Sequence, residues 1–278
     1  MSSRSPSTST VPSRLAFSPE ELRRVQEVDR LAALSGVGVP RLVAMLDDPS
    51  WAVRRAVVAA LGAAGEGALA PLLDALQTRR DDEARIAALV DALSTLAADG
   101  AEAELAKLAA TSREATVLAD VAQILGRRRV PTAIPTLVTL TRHADDNVAV
   151  AAVEALGRIG GRAAVDSLVG AVSSGNFFRT FPAIDVLGRS GDPRAVAPLT
   201  ALLEQPQYAH EAARALGRTG DIGAVPPLMR LLVRAGDAIP KLVARARALP
   251  DGDLGATAPG QAIASALHET LYSRLFRS

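Results

Sequence analysis

His210 and Glu211 are adjacent, and an imidazole beside a carboxylate is a pair able to hold a divalent metal such as iron. A catalytic metal needs more ligands than one such pair supplies, converging from separate parts of the chain. The sequence has 3 histidines and no cysteine, so thiolate metal sites, disulfides and cysteine nucleophiles are excluded. His268 is followed by Glu269, and His143 stands apart from both pairs. Two further groups of residues have a chemistry of binding. Arg127, Arg158, Arg189 and Arg218 recur at intervals of 31, 31 and 29 residues. Guanidinium groups in a row suit the carboxylates of an acidic peptide, or phosphates, through charge-assisted hydrogen bonds. Phe177, Phe178 and Phe181 are three of the 5 Phe residues in the chain, and Tyr208 occupies a similar place one interval later.

Those intervals exist because the chain repeats itself. Aligning on a Leu followed by a small residue gives Leu61, Leu96, Leu125, Leu156, Leu187 and Leu216, spaced by 35, 29, 31, 31 and 29 residues. Each unit contains two helical patterns. DDNVAVAAVEALGRIG at 145–160 carries Val150, Val153, Leu156 and Ile159 as an apolar stripe. DPRAVAPLTALLEQ at 192–205 carries Val196, Leu199, Leu202 and Leu203. Gly160, Gly191 and Gly220 fall where a helix C-terminus favours a residue free to adopt positive φ. Asp192 and Asp221 then suit an N-cap, with Pro193 in the first turn. The Gly after each aligned Leu reads as a small residue that lets two helices approach closely. An earlier hairpin, PEELRRVQEVDRLAAL with GVPRLVAMLDD, opens the stack at 19–48.

ALGRIG, and ALGRTGD followed by AVPPL, resemble the bacterial HEAT-like repeats of phycobilin lyases and related proteins. The resemblance covers roughly residues 36–236, is strongest in the last three units, and departs at 82–111, where STLAADG lacks the Leu-Gly step. It implies an α-solenoid, in which each hairpin buries its apolar face against its neighbours. It also implies, as an alternative function, a tetrapyrrole (bilin) lyase or a chaperone-like protein of that type. Deoxyhypusine hydroxylase, which resembles this fold, holds two irons with His-Glu pairs at repeat-equivalent positions. Here those positions carry Arg55-Ala56, Val90-Asp91, Ala119-Asp120, Val150-Ala151 and Phe181-Pro182, with no second His. The sequence therefore argues for no metal, no cofactor and no catalytic residue, and reads His210-Glu211 as scaffolding.

Composition agrees with a helical repeat: 278 residues, 49% hydrophobic, 22% charged and 3% aromatic, with no strand-like alternation. The expected architecture is all-α, an α-solenoid of about seven HEAT-like hairpins. The expected domains are a Ser/Thr/Pro-rich disordered tail at 1–17, the solenoid at 18–236 and a C-terminal capping segment at 237–278, where AIASALHETLYSRLFR forms the capping helix. The net charge of +1 and the 20 bases against 17 acids of residues 101–278 argue against nucleic acid, and so against a helical-repeat DNA glycosylase. No apolar run is long enough for a signal peptide or a membrane span, which makes a cytoplasmic location the default.

Stacking the repeats should set the four arginines along one edge, about 10 Å apart. A cation in the last turn of a helix is also favoured by the macrodipole, by roughly 0.3–1 kcal/mol, so a structural account of the ladder stands beside the binding one. Pro182 should make the first helix of its unit start late or kink, leaving an irregular aromatic site with Phe181 buried and Phe177 or Phe178 exposed. The function expected is a non-enzymatic scaffold or adaptor in a bacterial signalling or assembly pathway. Its partner is another protein with an acidic segment, met by Arg127, Arg158, Arg189, Arg218, Phe177, Phe178 and Tyr208.

Overall fold

A computed structural model describes residues 18–173 and 175–233, and the chain divides into two compact units at Ala101/Glu102. The expected tail at 1–17, the capping segment at 237–278 and His268-Glu269 lie outside the described residues. Among the described residues every regular element is helical. The first unit holds α1 (Pro19–Ala33), α2 (Val39–Ala44), α3 (Trp51–Gly62), α4 (Leu69–Thr78) and α5 (Glu83–Thr95). α6 (Ala101–Thr111) begins at the division. The second unit continues with α7 (Ala115–Arg127), α8 (Ile134–Leu140), α9 (Asp146–Ile159), α10 (Gly161–Val172), α11 (Phe177–Ser190), α12 (Val196–Leu202) and α13 (Ala209–Thr219). Residues 225–233 are helical and complete a seventh alternation of first and second helices.

The helices start where local chemistry caps them. Ser18 and Glu21 form a reciprocal capping box on α1, with Pro19 in its first turn. Asp82 accepts from the Arg85 amide, Asp145 from the Asn147 and Val148 amides, and Asn176 from the Arg179 amide. Gly160, Gly191 and Gly220 end α9, α11 and α13 at φ 69°, 64° and 65°, as the spacing of the glycines predicts. Asp192 and Asp221 then each cap a 3-10 turn, and the turn after Asp192 leads straight into α12. Arg194 donates to the Asp192 carboxylate, which holds that carboxyl below the usual range.

In the second unit the first helices α7, α9, α11 and α13 pack side by side in sequence, and each also meets a second helix. The seam between first helices is built on the aligned glycines. A Cβ added at Gly126 would lie 2.6 Å from the Ala155 Cα, and one at Gly188 would lie 2.7 Å from the Ala215 Cα. At Gly157 it would meet Val186 Cγ1, and in the first unit one at Gly62 would lie 2.7 Å from Thr95 Oγ1. No larger residue fits without moving a neighbour, so these glycines set how near the helices come.

The buried face of α9 is Val148, Ala149, Ala152, Val153, Ala155 and Leu156. Val150 and Ile159, expected on the same stripe, are only half-buried. A strict three-residue spacing slips by about 60° per step on a helix of 3.6 residues per turn, so the ends of that series turn away from the core. Leu199, Leu202 and Leu203 are buried as expected, whereas Val196 is half-buried. Each fully buried Leu contributes about 1.5–3 kcal/mol of transfer free energy. The repeat that lacks Leu-Gly is irregular in structure too: α5 stops at Thr95, and the Ala97 amide donates to the Gly62 carbonyl just before the division between the units.

Candidate functional site

The aromatic residues cluster at the start of α11. Asn176 caps the helix, which begins at Phe177 in the same register as α9, eleven residues before the seam glycine. The late start expected from Pro182 does not occur. Pro182 sits inside α11, where it supplies no N–H for the Phe178 carbonyl, and the chain remains helical around it. The helical register then fixes which residues face inward. Thr180, Ala183, Ile184 and Leu187 are buried, so Phe177, Phe178 and Phe181 share the outer face, at 49%, 50% and 39% exposure. Phe181 is thus on the surface, not beneath it as expected.

The three rings form one patch. Phe177 lies 5.4 Å from Phe181 in a stacked arrangement and 5.7 Å from Phe178 edge to face. Its centroid is 6.1 Å from that of Tyr208, nearly parallel. Tyr208 is only 3% exposed, so it does not belong on the contact surface where the sequence set it. It is the residue just before α13, and its ring backs Phe177 from within. Such pairs are worth about 0.5–1.5 kcal/mol each beyond the area they bury, which holds the exposed rings in place.

The arginine ladder occupies the opposite ends of the same helices. Arg158 pairs with Glu154 at 3.4 Å, and Arg189 pairs with Asp185 at 2.7 Å, both one turn back on their own helix. Arg218 reaches the other oxygen of Asp185 at 2.9 Å, so that one carboxylate ties α11 to α13. The Arg218 Nε and Nη2 atoms are buried without a hydrogen-bond partner among the described residues. Arg127 is exposed in the last turn of α7 and is not among the residues lining the groove that Arg158 and Arg189 share.

That groove has a volume of about 390 Å³ and is lined by Arg129, Glu154, Gly157, Arg158, Val186, Arg189 and Ser190. Arg129 was not singled out by the sequence pattern, which placed the ladder two residues earlier. It terminates α7 in a Schellman arrangement, its amide donating to the Gly126 carbonyl and the Val130 amide to the Leu125 carbonyl. The position is equivalent to Gly160, Gly191 and Gly220, three residues after the seam glycine. Among the described residues Arg129 is the only non-glycine with positive φ, at 53°. A side chain in that conformation costs roughly 1–2 kcal/mol. The signal was legible as GRRR where later repeats read GRIG, GRSG and GRTG.

The His-Glu pair is local. His210 Nε2 and Glu211 Oε1 are 3.8 Å apart, an ion pair only when the imidazole is protonated, and Arg214 approaches the same carboxylate at 3.3 Å. His143 accepts at Nδ1 from the Asp145 amide, beside the start of α9. Among the described residues no three His, Asp or Glu side chains gather as a metal site would require. No described helix is long and apolar enough to cross a membrane.

Stacked helical hairpins with a glycine seam define an α-helical repeat protein. The model for HEAT repeats matches residues 26–94 and 102–179, and that for PBS lyase HEAT-like repeats matches 183–205 and 209–234. The chain belongs to the HEAT-repeat family.

Among solved structures it resembles human deoxyhypusine hydroxylase in complex with glycerol, at 18% identity and a TM-score of 0.38, over 91% of this chain and 99% of that one. It also resembles a designed armadillo repeat protein in complex with the peptide (KR)4, at 17% identity and a TM-score of 0.36, over 84% and 99%. A stretch of 48 residues is 59% identical to the urease accessory protein UreF of Chromohalobacter salexigens, covering 17% of this chain and 21% of that protein. UreF of Klebsiella pneumoniae subsp. pneumoniae is 56% identical over 48 residues, with the same coverage. The match thus spans about a fifth of the length of these curated relatives.

Proposed function

We propose that this HEAT-repeat protein is a non-enzymatic interaction scaffold that binds a partner protein along its repeat surface, with Phe177, Phe178 and Phe181 as the apolar anchor. The observation that carries the reading is the exposed aromatic patch on α11, held from beneath by buried Tyr208. Three large rings left half in water cost solvation unless another surface covers them, and rigid aromatic groups are the usual anchors of protein interfaces. The arginine edge supplies the second contact, to an acidic segment of the same partner.

Affinity capture with wild type and with the Phe177→Ala, Phe178→Ala double variant tests this, both held below the melting temperature of the weaker protein. The partner should be lost from the double variant while its circular dichroism stays helical. Equal capture by both proteins contradicts the reading. The likeness to UreF favours urease assembly as the pathway, and co-expression with urease components, with and without this protein, reads that out as urease activity. The alternative of a bilin-binding lyase or chaperone draws on the description of the second family model, and a shift in visible absorbance on mixing with a bilin would favour it.

A further inference from the structure

We propose that the groove at the C-terminal ends of α7, α9 and α11 is a binding site for an extended acidic peptide segment of polyproline II type, with a carboxylate at every third residue, and that Arg129 is kept in its strained conformation to complete it. This deepens the scaffold reading and rests on it.

Three guanidinium groups line the groove, from three consecutive repeats, against the single carboxylate of Glu154. Arg158 and Arg189 are each satisfied by one acid on their own helix, which leaves donors of both free to point outward. Arg129 is exposed and makes no ion pair or side-chain hydrogen bond with any described residue. Helix-dipole stabilisation and intrahelical pairing account for Arg158 and Arg189, but they do not account for Arg129. At its position the later repeats place glycine, which relieves the backbone, whereas this repeat bears the strain and exposes a charge. Strain retained where a simple substitution would remove it points to a use for the side chain.

The spacing selects the ligand. Packed helices lie about 8–10 Å apart, which sets the step between Arg158 and Arg189 at equivalent positions of α9 and α11, with Arg129 two residues beyond that register on the α7 side. A polyproline II chain has three residues per turn with a rise of about 3.1 Å each, so acidic residues at every third position share one side at about 9 Å intervals. A β-strand turns its third residue to the opposite face, and a single phosphate or sulfate spans one arginine step at most. The net positive lining, the step from Arg158 to Arg189 and the unpaired Arg129 therefore converge on one occupant.

The test uses the full chain and a fluorescent peptide of three Glu-Pro-Pro triplets, read by anisotropy at low and at physiological salt. An isomer with its three glutamates contiguous is the comparison. Wild type should prefer the triplet peptide, with affinity falling as salt rises. Arg129→Gly should melt at a higher temperature than wild type yet bind the triplet peptide roughly tenfold more weakly, and Arg129→Lys should keep most of the affinity. Arg113→Gln, which removes one exposed charge elsewhere in the same unit, should bind as wild type does. Equal affinity for the two peptides, full competition by inorganic phosphate at equal carboxylate and phosphate concentrations, or unchanged binding by Arg129→Gly would each overturn the proposal. These results leave the aromatic anchor untouched, because the assay contains no native partner. Conversely, undiminished partner capture by the Phe double variant contradicts the anchor without changing the peptide result.

Discussion

Replacing Gly188 by Ala adds a single methyl group to the seam between α11 and α13, and its effect follows from distances. The new Cβ would lie 2.7 Å from the Ala215 Cα, 2.8 Å from its Cβ and 3.0 Å from its carbonyl oxygen. Comfortable carbon contacts are about 3.5–4.0 Å, so the helices must part by roughly 1 Å. None of the three obstructing atoms can rotate away, because two are backbone and the third is a Cβ. Overpacking of this kind costs about 1–3 kcal/mol, and the rigid contact puts Gly188 toward the upper end. Ala is favoured over Gly inside a helix by up to ~1 kcal/mol, which offsets part of that. The net loss should be about 2 kcal/mol, a fall in melting temperature of about 4–8 °C for a unit of this size.

Gly170 supplies the control, since it is helical in α10, exposed, and has no atom within 4 Å of an added Cβ. Gly170→Ala should raise stability by about 0.5–1 kcal/mol. Thermal unfolding followed by far-ultraviolet circular dichroism compares the two. If Gly188→Ala melts at or above wild type, the seam is looser than its geometry states and the account of close helix approach is wrong.

Tyr208→Ala should cost about 3–5 kcal/mol in chemical denaturation, as a buried aromatic truncation does, whereas half-exposed Phe178→Ala should cost about half as much. Similar losses for both would contradict the assignment of Tyr208 as the support and Phe178 as the surface. Gly191→Ala meets no neighbour but must hold φ 64°, so it should lose roughly 1–2 kcal/mol in the same assay, and a neutral result would refute the conformational reason given for that glycine. Arg194 lowers the Asp192 pKa in the folded state, so this carboxylate stabilises the fold above its unfolded value near 3.9, and the contribution is lost as pH falls toward the lower folded value. Stability measured between neutral pH and pH ~3 should therefore fall less steeply for Asp192→Asn than for wild type, and parallel curves would contradict it.

The fold was legible because its signals are local. The Leu-Gly steps mark one helix of each pair, the GRxG endings mark where it stops, and the Asp that follows begins the next turn; none of these needs knowledge of distant contacts. The irregular repeat at 82–111 was legible for the same reason, since STLAADG carries Ala97 where the other repeats place a glycine after the aligned Leu. Burial around Pro182 was misjudged because proline was weighed as a breaker alone. The capping of α11 by Asn176 and the inward face of Thr180, Ala183, Ile184 and Leu187 outweigh one missing hydrogen bond, and they turn Phe181 outward. Tyr208 was misplaced because its sequence position resembles that of Phe177, whereas its ring lies beneath it. Arg129 escaped notice because aligning the ladder on Arg127 fixes the wrong residue of GRRR. The third arginine stands where GRIG, GRSG and GRTG carry glycine, and its positive φ bears out that equivalence.

The glycine seam also bears on how such a chain can change in length through evolution. Gly126 faces Ala155, Gly157 faces Val186 and Gly188 faces Ala215, so each of these three joints offers a hydrogen to an Ala or a Val. Excising residues 126–156 would join Leu125 to Gly157 and make a composite helix whose glycine still faces Val186. Whole periods can therefore be lost or duplicated by recombination without inventing a new interface, whereas an excision one residue out of register misplaces the glycine of the composite helix and puts a side chain into its joint. The repeats are thus interchangeable parts, and any contact surface that spans several of them would be lengthened or shortened in steps of one repeat.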